Sequence, residues 1–200
     1  MIFKINDGTP LSPEEIDFIL EKNAYELLGE YYEKNIAIDK WHIVKAASYY
    51  RKAGLIDKAL SLTSVEKCNQ FTKDKDANRF LAAILTNKGA CFRDKGNLDE
   101  AEKYARDAIK NHSSFYPYNL LGAIYIERGK IKEGDDYFQK AECLGAIKKE
   151  NILKQQISFL KLVVEKAPKE LKVKIAEYFY TKDSVQYSFL RPHIRQSYPH

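Results

Sequence analysis

The sequence predicts an all-α chain built from helical hairpins placed side by side. Three observations carry that expectation. Shifting the sequence by 33 positions places Gly89 on Gly122, Phe92 on Tyr125, Gly96 on Gly129, Leu98 on Ile131 and Ala108 on Ala141; a period of this size marks a stacked repeat. Apolar residues recur at helical spacing inside each period, as Leu81, Leu85 and Phe92 do. Glycine and cap residues punctuate the pattern: Gly96 ends one helix, and Asn97, with Glu100 three residues on, opens the next.

The elements follow in order. Ser12-Pro13-Glu14-Glu15 reads as a capping box with proline in the first turn. The helix it opens is expected to run to about Lys34, with Ile16, Ile19, Leu20, Leu27, Leu28 and Tyr31 facing inward. Residues 12–35 are thus an N-terminal capping helix, and residues 40–146 hold three hairpins. In the hairpin that begins near Leu81, the second helix puts Leu98, Ala101, Ala105, Ala108 and Ile109 on one side. Asp99–Lys103 and Glu102–Arg106 are i,i+4 pairs in the favourable order. Pro117 falls in the first turn of the helix that follows, where its missing N–H costs little. Residues 148–183 form C-terminal capping helices. The first has Ile152, Leu153, Ile157, Leu160 and Val164 inside, and Pro168 separates it from the second. Residues 184–200 lack a period and hold two prolines, which predicts an irregular tail. The whole of 1–200 reads as a single helical-repeat domain.

Composition supports a folded chain: 44% of residues are hydrophobic, 30% are charged, and 14 are tyrosines. No run of about 18 apolar residues is present, so no membrane span is expected. Lys4, Asp7, Glu14, Glu15 and Asp17 interrupt any apolar stretch near the start, which predicts no secretion signal. Cys68, Cys91 and Cys143 are odd in number and far apart, which predicts packed, reduced thiols and a cytoplasmic setting. The net charge of +5 is uneven: residues 1–35 carry three basic and eight acidic side chains, while residues 148–200 sum to +6.

Catalytic signatures are absent, so no enzyme activity, cofactor or metal is expected. The chain has no G-x-S-x-G, H-E-x-x-H or C-x-x-C. The Gly122 to Gly129-Lys130 segment lacks the spacing of a phosphate loop, and Ile131 stands where a magnesium-binding hydroxyl is needed. Asp135-Asp136 reads as solvated surface, since adjacent helical residues diverge by about 100°. Arg195 and His200 have the Arg-x4-His spacing of HEPN-type ribonucleases, but Pro199 lies between them in a stretch without helical pattern.

The repeat resembles the tetratricopeptide family. Residues 118–141 carry the pattern as Tyr118, Leu121-Gly122, Tyr125, Gly129, Gly134, Phe138 and Ala141. Residues 85–108 carry it as Leu85, Gly89, Phe92, Gly96, Ala101 and Ala108, with Lys88 and Ala105 as departures. Residues 43–66 carry it as Ile43, Ala46-Ala47, Tyr50, Gly54 and Ala59, with Thr63 and Glu66 departing. The resemblance implies a right-handed α-α superhelix of about three hairpins with N- and C-terminal capping helices. It also implies a concave face lined by Lys45, Ser48, Arg51 and Lys52, then Thr86, Asn87, Ala90 and Arg93, then Asn119, Leu120, Ala123 and Glu127. Such a face suits a non-enzymatic adaptor that holds a peptide or helix of a partner protein, here one with an acidic part. The family's carboxylate clamp is not expected. Asn87 fits its middle position, but Val44, Ser48, Tyr116 and Leu120 occupy the other four. Two other partners are open on the sequence. Nucleic acid would meet the basic C-terminal third: Lys148, Lys149, Lys154, Lys161, Lys166, Lys169, Lys172 and Lys174, then Arg191, Arg195 and Tyr198. A second copy would pair through an uncapped repeat face.

Overall fold

Three glycines set the ends of long helices. Gly54, Gly96 and Gly129 take φ of +80°, +80° and +77°, a left-handed backbone open to glycine without steric cost. At the middle turn the Gly96 amide donates to the Arg93 carbonyl (2.8 Å) and the Asn97 amide to the Phe92 carbonyl (2.9 Å). Carbonyls orphaned at the helix end are satisfied this way. Asn97 then caps the next helix, its Oδ1 accepting from the Glu100 amide at 3.2 Å.

A computed structural model describes residues 2–64 and 75–194. Among these residues the chain is all-α, with eleven α-helices and no strand. They are α1 (Ile2–Asp7), α2 (Pro13–Glu21), α3 (Tyr25–Lys34), α4 (Trp41–Lys52), α5 (Ile56–Leu62), α6 (Ala77–Asp94), α7 (Leu98–Asn111), α8 (Phe115–Glu127), α9 (Ile131–Leu144), α10 (Lys149–Lys166) and α11 (Lys169–Lys182). None of them is long and apolar enough to cross a membrane. The chain divides into two compact units, Met1–His112 and Ser113–His200, where the sequence reads as one domain. The division falls between the second and third expected hairpins.

In the first unit, helices pack in adjacent pairs: α3 on α4, α4 on α5, α6 on α7, with α4 also against α6. Ile19, Leu28, Ile43, Ala46, Ala47, Tyr50, Ala59, Leu62, Phe80, Ile84 and Cys91 form its core. The capping box is formed in full. Ser12 Oγ accepts from the Glu15 amide (3.3 Å) and Glu15 Oε2 from the Ser12 amide (2.8 Å). Lys4 then holds the same Glu15 carboxylate at 2.9 Å. Ser12→Ala is expected to cost about 1 kcal/mol, read as a lower urea midpoint by circular dichroism.

Several expectations are corrected here. The helix opened by Ser12 does not reach Lys34. It stops at Glu21, and Asn23 at φ +53° turns the chain back into α3. Asparagine tolerates the left-handed conformation that ends a helix, and the Asn23 and Ala24 amides donate to the Leu20 and Ile19 carbonyls. Helix α5 ends at Leu62, and the Thr63 hydroxyl donates back to the Leu60 carbonyl at 3.0 Å. Glu66 and Cys68 lie outside the described residues. On α7, Glu102 and Arg106 pair at 2.6 Å as expected, and Lys103 also lies 3.4 Å from Glu100. Cys91 is buried and its thiol is pushed up to about 11 by that burial. Cys143 is exposed, not packed.

The second unit is built on the α8–α9 hairpin, where two glycines bring the backbones together. A Cβ on Gly122 would lie 2.3 Å from the Phe138 ring, and one on Gly134 would lie 2.8 Å from the Gly122 carbonyl oxygen. Helices α10 and α11 complete the unit, with Ile126, Phe138, Leu160, Val164, Ile175, Ala176 and Phe179 in the core. The expected irregular tail is ordered over its first part. Ser188–His193 form a 3-10 helix, and the buried Tyr187 ring packs 5.1 Å from Phe179. Buried Leu190, three residues on, joins the same core, so short local spacing replaces the helical period.

Candidate functional site

The predicted groove residues of the first unit lie on α4 and α6, which pack against each other. Two of them act within the fold. Asn87 donates from Nδ2 to the Ala83 carbonyl at 3.2 Å and lies 3.5 Å from the Val44 carbonyl of α4. Thr86 donates to the Ala82 carbonyl at 2.7 Å. Ser48 is half-buried on α4.

Arg51 and Arg93, at the C-terminal ends of α4 and α6, meet on one carboxylate. Asp94 accepts from Arg51 Nη1 at 2.7 Å and from Arg93 Nη2 at 3.0 Å. Arg51 Nε is buried without a hydrogen-bond partner. The sequence suggests two open arginines here; the fold spends part of each on Asp94.

Lys45 and Lys52 differ. Both are exposed, and neither has a carboxylate within ion-pair distance among the described residues. Their ammonium groups rest on a stack of rings from α3 and α4. Tyr25 stacks on Tyr49 (6.4 Å), Tyr49 on Tyr32 (5.6 Å, 6° between planes), and His42 follows at 5.1 Å from Tyr32. Lys45 Nζ lies 4.8 Å from the Tyr32 centroid, and Lys52 Nζ lies 5.2 Å from Tyr49 and 5.5 Å from Tyr25. Ring faces attract cations and hold them in place. Burial pushes Tyr32 up to about 12 and raises Tyr49 also, so both hydroxyls stay protonated near neutrality. Burial, then the neighbouring Arg51, lowers Lys52. Sequence reasoning did not single out this stack. The signal was present, because Tyr25 and Tyr32, and His42 and Tyr49, are each seven residues apart, which puts each pair on one helix face.

In the second unit the predicted residues are mostly engaged. Leu120 is 6% exposed, a core residue and not a lining one, and Ala123 is buried beside it on α8. Asn119 accepts from Gln156 Nε2 at 3.1 Å. Glu127 is half-buried at the end of α8. Asp135, expected at the surface, is 2% exposed. It accepts from Lys182 Nζ (2.6 Å), Gln139 Nε2 (2.9 Å) and the Tyr178 hydroxyl (3.1 Å), which ties α9 to α11. Asp136 is exposed. Of the basic residues expected to meet nucleic acid, Lys154 pairs with Glu150 at 2.7 Å, and Lys149 lies 3.8 Å from Glu142. Arg195, Tyr198 and His200 lie outside the described residues, and with them the Arg-x4-His spacing. Among the described residues no cluster of His, Cys, Asp and Glu could hold a metal ion.

No protein-family model matches this chain, and no curated protein is significantly similar to it.

Proposed function

We propose that the chain is a non-enzymatic adaptor of tetratricopeptide type, working in the cytoplasm and holding an acidic segment of a partner protein. The observation that carries this reading is the pair Lys45 and Lys52. They are exposed ammonium groups held over tyrosines beside the helix that carries Arg93 and Asn87. An anionic partner would supply the carboxylates they lack. Support for the family reading comes from the 33-residue period and from close glycine contacts in paired helices, at Gly29 against Tyr50 and at Gly122 against Phe138. A right-handed superhelix goes with that reading.

The test is Lys45→Glu combined with Lys52→Glu. Each change removes a surface cation–π contact of about 0.5–1 kcal/mol, so the fold is expected to survive, as circular dichroism would show. Affinity purification from the native host, quantified by mass spectrometry, is expected to give at least one protein partner depleted about fivefold or more in the double variant, the scale of two lost exposed ion pairs. Equal recovery of every captured protein by both forms would refute the reading. Arg51 and Arg93 are poorer targets, because reversing either sets a new carboxylate against Asp94.

A further inference from the structure

We infer, resting on the adaptor reading for the face concerned, that the Lys45–Lys52 tyrosine stack recognises two carboxylates three residues apart in an extended, polyproline-type segment. The spacing argument comes first. Lys45 and Lys52 are seven residues apart on α4, which is about 10.5 Å along a helix at 1.5 Å per residue. In a polyproline II segment, residues i and i+3 lie on the same side, about 9.3 Å apart. A β-strand puts same-side residues about 7 Å or about 13 Å apart, which matches less well.

The chemistry of the surface makes the second argument. A docked helix presents an apolar stripe and needs an apolar groove to receive it. This face offers the half-buried rings of Tyr25 and Tyr49, backed by buried Tyr32, and two exposed ammonium groups instead. Polyproline backbone has no internal hydrogen bonds, so its carbonyls stay open to a donor. Tyr25 already donates to Asn23 Oδ1 at 2.8 Å and Tyr32 is buried, which leaves half-buried Tyr49 and the two ammonium groups to serve them. Aromatic surfaces are the usual receivers of such segments, whose ordering entropy is already low. Charge makes the third argument. Neither lysine has a carboxylate within ion-pair distance among the described residues, so both ammonium groups are open to an incoming acid. A carboxylate on Lys52 would also relieve the lowering that burial and Arg51 impose on it.

The probes are three fluorescein-labelled, proline-rich peptides of identical composition, with two glutamates one, three or six residues apart. Fluorescence anisotropy with the full chain at low salt is expected to favour the three-residue spacing by up to about fivefold over both isomers, the scale of the one exposed ion pair that a misspaced isomer loses. Lys45→Gln with Lys52→Gln is expected to abolish that preference, and Tyr49→Leu to weaken binding of the same isomer. Equal binding of the three isomers, binding indifferent to the lysine pair, or no binding of any isomer would each overturn the inference. The adaptor reading fails by a different result, the identical capture of proteins by wild type and the charge-reversed form. Loss of captured partner in that form, together with peptides that do not discriminate spacing, would sink the spacing rule and leave the adaptor.

Discussion

Gly134→Ala is expected to lower the stability of the chain by about 1–3 kcal/mol, the usual cost of overpacking. On an exposed helix the same change would be favourable by up to about 1 kcal/mol, so the sign itself tests the packing. The added Cβ would stand 2.6 Å from Ile126 Cγ1, 2.8 Å from the Gly122 carbonyl oxygen and 3.0 Å from the Ile126 amide nitrogen. Two of those atoms are backbone and cannot rotate away. Relief requires α8 and α9 to separate, and that loosens Phe138, Ile124 and Leu121, all buried. Gly122→Ala should behave alike, since its Cβ would meet the Phe138 ring and the Gly134 carbonyl oxygen. Urea unfolding followed by circular dichroism is the measurement. A midpoint equal to or above that of wild type would mean that the two helices are not in this contact.

The same glycines show which parts of the fold were legible in the sequence. Helix ends marked by local chemistry were read to within a residue or two: Gly96 with Asn97, the Ser12 capping box, and Pro168 between α10 and α11. Each depends on residues within four positions of one another. The α2–α3 break was missed because its turn rests on Asn23 alone, with neither glycine nor proline beside it to mark a stop. Asp135 was misread because what buries it is distant in sequence. Tyr178 and Lys182 reach it from 43 and 47 residues away, and no local pattern announces such partners.

Site residues divide along the same line. A repeat register identifies the helix face on which a residue sits; Lys45 and Lys52, which it assigned to the groove, are exposed. It says nothing about which charges the fold itself will neutralise. Arg51 meets Asp94 across 43 residues, and Asn119 meets Gln156 across 37. Both were expected as open contacts, and both are partly occupied by the chain. Lys45 and Lys52 are held over tyrosine rings instead, with no carboxylate of the described residues within ion-pair distance. That is why the proposed recognition moves from the arginines to the lysine and tyrosine stack.

Alkaline unfolding is the second large effect, and it follows from the same rings. Burial raises Tyr32 and Tyr187 from the ordinary value of 10.0 to about 12, and the two are only 7% and 4% exposed. The folded-state value lies above the unfolded one, so the neutral phenol is the form the fold accommodates. Stability from these groups is therefore intact below about pH 10 and is lost as pH rises towards 12, because the unfolded chain releases its protons first. At about 1.4 kcal/mol per pH unit, each tyrosine withdraws on the order of 2–3 kcal/mol over that window. Tyr178, beside Asp135, is also raised to about 12, and Tyr50, buried and bonded to Glu33, moves in the same direction. Several such groups together exceed a small fraction of a typical stability of about 5–15 kcal/mol. Helix content should hold to about pH 10 and then fall cooperatively, while the tyrosinate absorbance of the buried rings rises in the same transition. Tyr32→Phe keeps the stacked ring and removes the proton, so it is expected to move the helix transition to higher pH. Helix signal unchanged through pH 12, or a Tyr32→Phe transition at lower pH, would mean that the stack is open to water and is not the buried platform on which Lys45 and Lys52 rest.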